Sequence, residues 1–253
     1  MPATWKTVWI TGASTGIGRE LALRLAQRGC RVAISARSRS KLDELARLDP
    51  RLSPYPLDVT DRSAVAKTHA AIIAQHGSID LAILNAGIWD PISSTDYDAA
   101  RAAASMAVNY GGIANALEPL VRDMVPRRAG HLALVASVAG YRGLPKGAVY
   151  APTKAAVISL AEVLRLELER HGIAVSVVNP GFVDTPMTEV NAFPMPFLVT
   201  PGEAAAKILS GLERRRFEVT FPWQLVSALK LLRVLPYPLY RAIARRMTGR
   251  ADQ

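Results

Sequence analysis

The sequence predicts an α/β fold, a doubly wound parallel sheet formed as one domain. Three observations predict it. Short apolar runs alternate with helical patterns along the 253-residue chain. Several of those runs are apolar on both faces, as strands covered on both sides must be. A glycine-rich turn joins the first run to the first helix, where such sheets bind their ligands.

The strands are expected at 7–11, 31–36, 54–59, 81–85, 131–137, 174–179 and 217–221. Helical patterns fall near 16–29, 39–48, 61–76, 96–125, 150–171 and 202–214. Gly29, Gly77 and Gly172 close three of them, at positions that favour a left-handed cap. Strand and helix alternate in the order that right-handed crossovers require. Residues 1–222 read as the main domain and 223–253 as an amphipathic extension. Between them, 180–201 carries five prolines and reads as a long ordered loop of the kind that covers sites.

Composition narrows the class. With 50% hydrophobic and 21% charged residues the chain is an ordinary globular one, not a disordered or fibrous one. Cys30 is the single cysteine, so no internal disulfide exists, which suits a reducing, cytoplasmic setting. The first ten residues lack the apolar run of a signal peptide. No stretch has the roughly 18 charge-free apolar residues of a membrane span. The net charge is +10, and the excess is local. From Lys207 onward ten Lys and Arg side chains face three acids. No nucleic-acid-binding motif accompanies them, so nucleic acid is not an expected partner.

The first candidate site is the turn Thr11-Gly12-Ala13-Ser14-Thr15-Gly16-Ile17-Gly18. Gly12 lets the chain turn sharply, and Gly16 and Gly18 let backbone approach a pyrophosphate. The helix start adds unpaired N–H groups and partial positive charge. A site for NAD usually carries an acid at the end of the second strand to hold the ribose 2′-hydroxyl. Here that strand ends Ile34-Ser35-Ala36-Arg37 without one. Arg37 can pair with a 2′-phosphate, so NADP(H) is the expected cofactor.

The second candidate site is Tyr150 with Lys154, one helical turn apart on one face. An ammonium beside a phenol favours phenolate and lowers the tyrosine pKa. Ser137 ends the preceding strand, on the side where parallel sheets hold ligands. Its hydroxyl can hold a substrate carbonyl. The four histidines are scattered without ligand spacing, so no metal is expected. Pro152 lacks a backbone donor and is tolerated only in a first turn, which sets the helix start near 147–150.

These residues together resemble the short-chain dehydrogenase/reductase family. The match runs from Thr11–Gly18 through Asn85-Ala86-Gly87, Asn109, Ser137, Tyr150-Ala151-Pro152-Thr153-Lys154 and Pro180-Gly181-Phe182-Val183-Asp184-Thr185. The resemblance implies a Rossmann-type fold and an oxidoreductase that moves a hydride between NADP(H) and a carbonyl or secondary alcohol. It implies Tyr150 as acid/base, Lys154 on the nicotinamide ribose, Ser137 on the substrate oxygen, and Asn109 holding a water in a proton relay. It also implies that Gly12, Ser14, Thr15, Gly16, Ile17, Gly18 and Arg37 meet the phosphates. Asp58 and Val59 would meet adenine, and Asn85, Ala86 and Gly87 the adenosine ribose. Pro180, Gly181, Val183 and Thr185 would frame the nicotinamide. Homo-oligomers are common in the family. A non-catalytic NADP(H)-binding scaffold or redox sensor is the alternative, and an isomerase or dehydratase on the same fold is a third reading. Intact Ser137, Tyr150, Lys154 and Asn109 favour the enzyme.

The ending departs from the family's usual glycine-rich close. In 224–235, Gln224, Ser227, Lys230 and Arg233 form one polar stripe and almost everything else is apolar. After Pro236, Tyr237–Met247 carries Arg241, Arg245 and Arg246. Such a tail packs on its own domain or another subunit, covers an apolar substrate pocket, or lies as a peripheral contact in an anionic membrane interface. Similar tails in lipid-handling carbonyl reductases direct the substrate reading towards apolar carbonyls. Leu144, Ala148, Met187, Phe193, Met195 and Phe197 are the candidate pocket lining.

Overall fold

The computed structural model describes residues 5–191 and 193–248; Arg250 and Asp252 of the basic tail lie outside them. Seven parallel strands form one sheet in the order β3-β2-β1-β4-β5-β6-β7. They are β1 (Thr7–Thr11), β2 (Arg31–Ala36), β3 (Leu52–Pro56), β4 (Leu81–Leu84), β5 (Gly130–Val135), β6 (Ile173–Pro180) and β7 (Glu218–Phe221). Every residue of β1, β4 and β6 is buried, which is why their sequences run apolar without alternation. The order reverses between β1 and β4, and the carboxyl ends of those strands open a crevice.

Helices cover both faces. On one lie α1 (Gly16–Gln27), α2 (Arg39–Ala46) and α7 (Pro201–Glu213), packed through Leu21, Leu25, Leu42, Ile208 and Leu212. On the other lie α3 (Arg62–His76), α5 (Gly112–Arg127) and α6 (Tyr150–Leu168), packed through Ile72, Ile113, Leu120 and Val157. Each such fully buried side chain contributes about 1.5–3 kcal/mol. Trp9 is fully buried, and its indole N–H donates to Ser35 Oγ at 3.0 Å, so its one polar group is satisfied. Helix starts carry side-chain caps where the sequence offers an oxygen. Asp61 accepts from Ala64 N–H, and Thr200 with Glu203 forms a reciprocal capping box.

Two expected elements differ most in extent. The third strand ends at Pro56, so Asp58 and Val59 follow it instead of lying within it. Pro54 and Pro56 lack ladder donors, which β3 tolerates as the edge strand. The long helix expected over 96–125 is α4 (Ala99–Met106), a π-turn at Ala107–Gly111, and then α5. Asp98 starts α4 by accepting from Ala100 and Arg101 N–H. The tail forms α8 (Trp223–Val234) and α9 (Tyr237–Thr248), separated at Pro236. Val226 and Leu229 of α8 are buried against the α3/α5/α6 side, so this helix packs on its own domain. Trp223, Leu231 and Val234 on its other side remain exposed. Among the described residues no helix is long and apolar enough to cross a membrane.

Candidate active site

The crevice at the carboxyl ends of the strands deepens into a cavity of about 1180 Å³. That exceeds the roughly 300–1,000 Å³ of a typical one-ligand pocket, as a site for two adjacent ligands must. Its walls include Gly12, Ser14, Thr15, Gly16, Ile17, Arg37, Asp58, Val59, Asn85, Ala86 and Gly87 at one end. Ser137, Tyr150, Lys154, Pro180, Gly181 and Val183 line the other, and Thr185 lies against Gly16. Gly18 and Asn109 do not reach the wall and stand behind it.

The glycine turn is shaped by close approach. Gly12 adopts φ +68°, and a Cβ there would sit 2.8 Å from Ala86 Cα. A Cβ on Gly18 would fall 2.3 Å from Gly12 O, so only hydrogen fits. Asn85 ties the turn to β4: its Nδ2 donates to Thr11 O at 3.1 Å and to Gly12 O at 3.0 Å. Thr11 Oγ1 accepts from the N–H groups of Asn85 and Ala86. Thr15 at the start of α1 makes no side-chain cap, so that helix end offers its N–H groups to an anion.

At the far end of this half, Arg37, Ser38 and Lys41 face the cavity together. Ser38 Oγ accepts from Lys41 N–H and caps α2. Hydrogen bonds from Thr60 N–H and Oγ hold the Asp58 carboxyl below the usual carboxylate range, with the Arg37 charge adding to them. No acid occupies the strand-end position next to Ala36. The cradle and cations therefore fit a dinucleotide carrying an extra phosphate.

The catalytic candidates converge at the other end. Ser137 follows β5 and caps a short 3₁₀ turn, accepting from Ala139 N–H at 3.1 Å. Its hydroxyl donates to Pro180 O at 3.4 Å. Tyr150 opens α6, at the start that Pro152 requires. Burial pushes the Tyr150 phenol up to about 12, while a hydrogen bond with Ser137 pulls it down. Burial pushes Lys154 down to about 8. Its Nζ donates to Val135 O at 3.0 Å and lies 5.6 Å from the centre of the Tyr150 ring. The phenol is held up by burial, and Lys154 stands beside its ring with its ammonium on a backbone carbonyl. Burial in a low-dielectric site disfavours the charged form of each group, raising the phenol and lowering the ammonium.

Asn109 joins three segments of the chain. It is fully buried at the π-turn, and its side chain serves the protein. Oδ1 accepts from Ile88 N–H at 2.7 Å. Nδ2 donates to Ile88 O at 3.0 Å, Thr153 Oγ1 at 3.0 Å and Ser105 Oγ at 3.3 Å.

The family model described as short chain dehydrogenase matches residues 6–193, about three quarters of the chain. The chain belongs to the short-chain dehydrogenase/reductase family, and it is an oxidoreductase by that membership. An uncharacterised oxidoreductase of Myxococcus xanthus is 38% identical over 248 residues, covering 96% of this chain and 98% of that one. The 3-oxoacyl-acyl-carrier-protein reductase FabG of Thermotoga maritima is 35% identical over 193 residues, covering 73% and 76%. A short-chain dehydrogenase of Burkholderia cenocepacia, solved in complex with NADP, superposes with TM-score 0.82 at 28% identity, covering 93% and 96%. One from Streptomyces avermitilis superposes with TM-score 0.83 at 24% identity, covering 98% and 99%.

Several site residues of this family member were not singled out from sequence. Trp89 packs edge-on to Tyr150, ring centres 4.8 Å apart, and its N–H donates to Asn191 Oδ1 at 2.8 Å. Ser38 and Lys41 join Arg37, and Leu225 and Leu229 enter the wall from α8. The i, i+4 spacing of Leu225 and Leu229 was the available signal for the latter. Of the expected apolar lining, Leu144, Met187 and Phe193 face the cavity; Ala148, Met195 and Phe197 do not. Phe197 is half exposed at φ +60°, and Met195 instead accepts a contact from Asn191 Nδ2.

Proposed function

We propose that this dehydrogenase/reductase uses NADP(H) to interconvert a carbonyl and a secondary alcohol on an apolar substrate. The observation that carries this reading is the meeting of Ser137 and Tyr150 in the same cavity as the glycine cradle and Arg37. When bound, the nicotinamide supplies the hydride to the carbonyl carbon, or takes it from the carbinol.

The protein's own groups do the rest. Ser137 Oγ–H holds the substrate oxygen. Tyr150, protonated at neutral pH because its pKa lies near 12, donates the proton that oxygen needs in the reductive direction. Lys154, with a pKa near 8, is mainly charged at neutral pH and offers its remaining N–H donors to the ribose hydroxyls. Arg37 takes the 2′-phosphate, and Pro180, Gly181, Val183 and Thr185 frame the nicotinamide. A screen of ketones and aldehydes with NADPH tests the reading. NADPH binding without consumption of any of them would favour the scaffold instead.

Arg37→Ala tests the cofactor choice separately. A charge-assisted contact is worth about 1.5–3 kcal/mol, so NADPH affinity is expected to fall by roughly 10- to 150-fold. NADH affinity is expected to stay within about twofold, since the 2′-hydroxyl needs no cation. Fluorescence titration with both cofactors measures it, and equal losses would remove the phosphate assignment.

The exposed side of the tail favours one additional reading, a peripheral contact with an anionic lipid surface. Trp223, Leu231, Val234, Tyr237 and Leu239 are exposed beside Arg233 and Arg241. The protein is expected to co-sediment with phosphatidylglycerol vesicles at low salt and to be released by Trp223→Ser. Equal recovery with neutral vesicles would refute the contact.

A further inference from the structure

The first tail helix does two things at once. Its inner side supplies Leu225 and Leu229 to the cavity that holds Ser137 and Tyr150. Its C-terminal end and its flank are fastened to the segment that directly follows Ser137. A Cβ on Gly181 would lie 2.8 Å from Leu225 Cδ2, so this side chain abuts the loop next to Pro180, whose carbonyl accepts from Ser137. Leu225 is thus a near neighbour of the reacting end. Phe182 and Phe193, edge to face with ring centres 6.0 Å apart, and Leu144 add apolar surface to the same cavity.

The fastening is specific. The last carbonyls of a helix lack partners within it. Arg142 Nη1 donates to three near the end of α8: Leu232 O at 2.8 Å, Arg233 O at 2.8 Å and Leu235 O at 2.9 Å. The same guanidinium lies 4.0 Å from the centre of the Tyr240 ring, and Tyr240 OH donates to Gly143 O. On the flank, Glu218 accepts from Tyr141 OH at 2.5 Å, from Asn179 Nδ2 at 2.9 Å and from Lys230. Tyr141 and Arg142 come directly after the 3₁₀ turn that Ser137 caps. The helix and the serine loop therefore hold one another in place.

We propose that α8 forms a subsite for the hydrocarbon part of the substrate, an alkyl chain attached to the reacting carbonyl, and that Arg142 is its positioning residue. The proposal rests on the carbonyl-reductase reading of the site and adds which wall recognises the substrate. Leu225 and Leu229 would contact the chain, and Arg142 would act through them without touching it.

The test is equilibrium binding, which does not depend on turnover. The protein loaded with NADP+ is titrated calorimetrically with 2-hexanone, 2-octanone and 2-decanone. Each buried methylene contributes about 0.8 kcal/mol, so Kd is expected to fall roughly fourfold per added carbon. In Leu225→Ser that dependence flattens, because the chain meets a hydroxyl instead of a methyl pair. In Arg142→Ala it flattens while NADP+ affinity is unchanged, and hydrogen exchange of the α8 amides quickens. Arg142→Lys, which keeps the charge but loses the fork, restores part of both. A Kd that ignores chain length in the parent protein, or a dependence that survives both Leu225→Ser and Arg142→Ala, overturns the proposal. Parallel turnover with NADPH separates the two readings: chain-length-dependent binding with no reduction leaves the subsite standing and removes the reductase assignment.

Discussion

Tyr150→Phe is expected to lower ketone reduction by about 10²–10⁴-fold in kcat, the range that a positioned general acid supplies. NADPH still binds, and the protein melts close to the parent temperature. The substitution deletes one hydroxyl and keeps the ring. The edge-on contact with Trp89 at 4.8 Å involves the ring alone, so the packing at the start of α6 survives. The deleted group is the proposed proton donor, and no second phenol lines the cavity among the described residues. Ser137 can hold the substrate oxygen but is a far weaker acid. Stopped-flow reduction of the best ketone, with NADPH affinity measured on the same sample, decides the matter. Turnover within tenfold of the parent would mean that the proton comes from elsewhere.

The sequence carries this site unevenly, for physical reasons that can be traced residue by residue. The strands are legible because burial on both faces imposes an unbroken apolar run, as in Leu81–Leu84. The phosphate turn is legible because backbone crowding at Gly12 and Gly18 admits only hydrogen. The start of α6 follows from Pro152 alone. What depends on tertiary partners was not legible. The break between α4 and α5 sits where Asn109 bonds to Ile88 and Thr153, residues 21 and 44 positions away. The i, i+4 spacing predicts Lys154 beside Tyr150, but not the burial that raises the phenol or the hold of Val135 O on the ammonium. Spacing fixes which side chains share a face, but desolvation and competing acceptors fix their charge. The tail shows the same limit. Its polar stripe of Gln224, Ser227, Lys230 and Arg233 is exposed, yet Leu231 and Val234 of the apolar face are exposed as well, because the domain covers only the side that carries Val226 and Leu229.

Asn109→Ala is expected to cost about 3 kcal/mol of stability, from two or more buried groups left unpaired at roughly 1–3 kcal/mol each. Ile88 loses partners on both its N–H and its carbonyl, and Thr153 loses its donor. For a chain of this size that corresponds to a fall in Tm of about 6–12 °C. Asn109→Asp is no rescue. A carboxylate still accepts from Ile88 N–H but turns an oxygen towards Ile88 O where a donor is needed. Asp is therefore expected to be at least as destabilising as Ala at neutral pH. The activity loss should appear mainly in kcat. Thr153 Oγ1 donates to Tyr150 O at 2.7 Å, so Asn109 joins the Ile88 loop to the first turn of the catalytic helix. Loosening that tie lets Tyr150 drift relative to Ser137, and a misplacement of about 1 Å can cost roughly 100-fold in rate. Thermal melts with and without NADPH, set against kcat, separate the two contributions. A melting temperature unchanged in Asn109→Ala, with kcat still lost, would show that the side chain acts on the reaction and not on the fold.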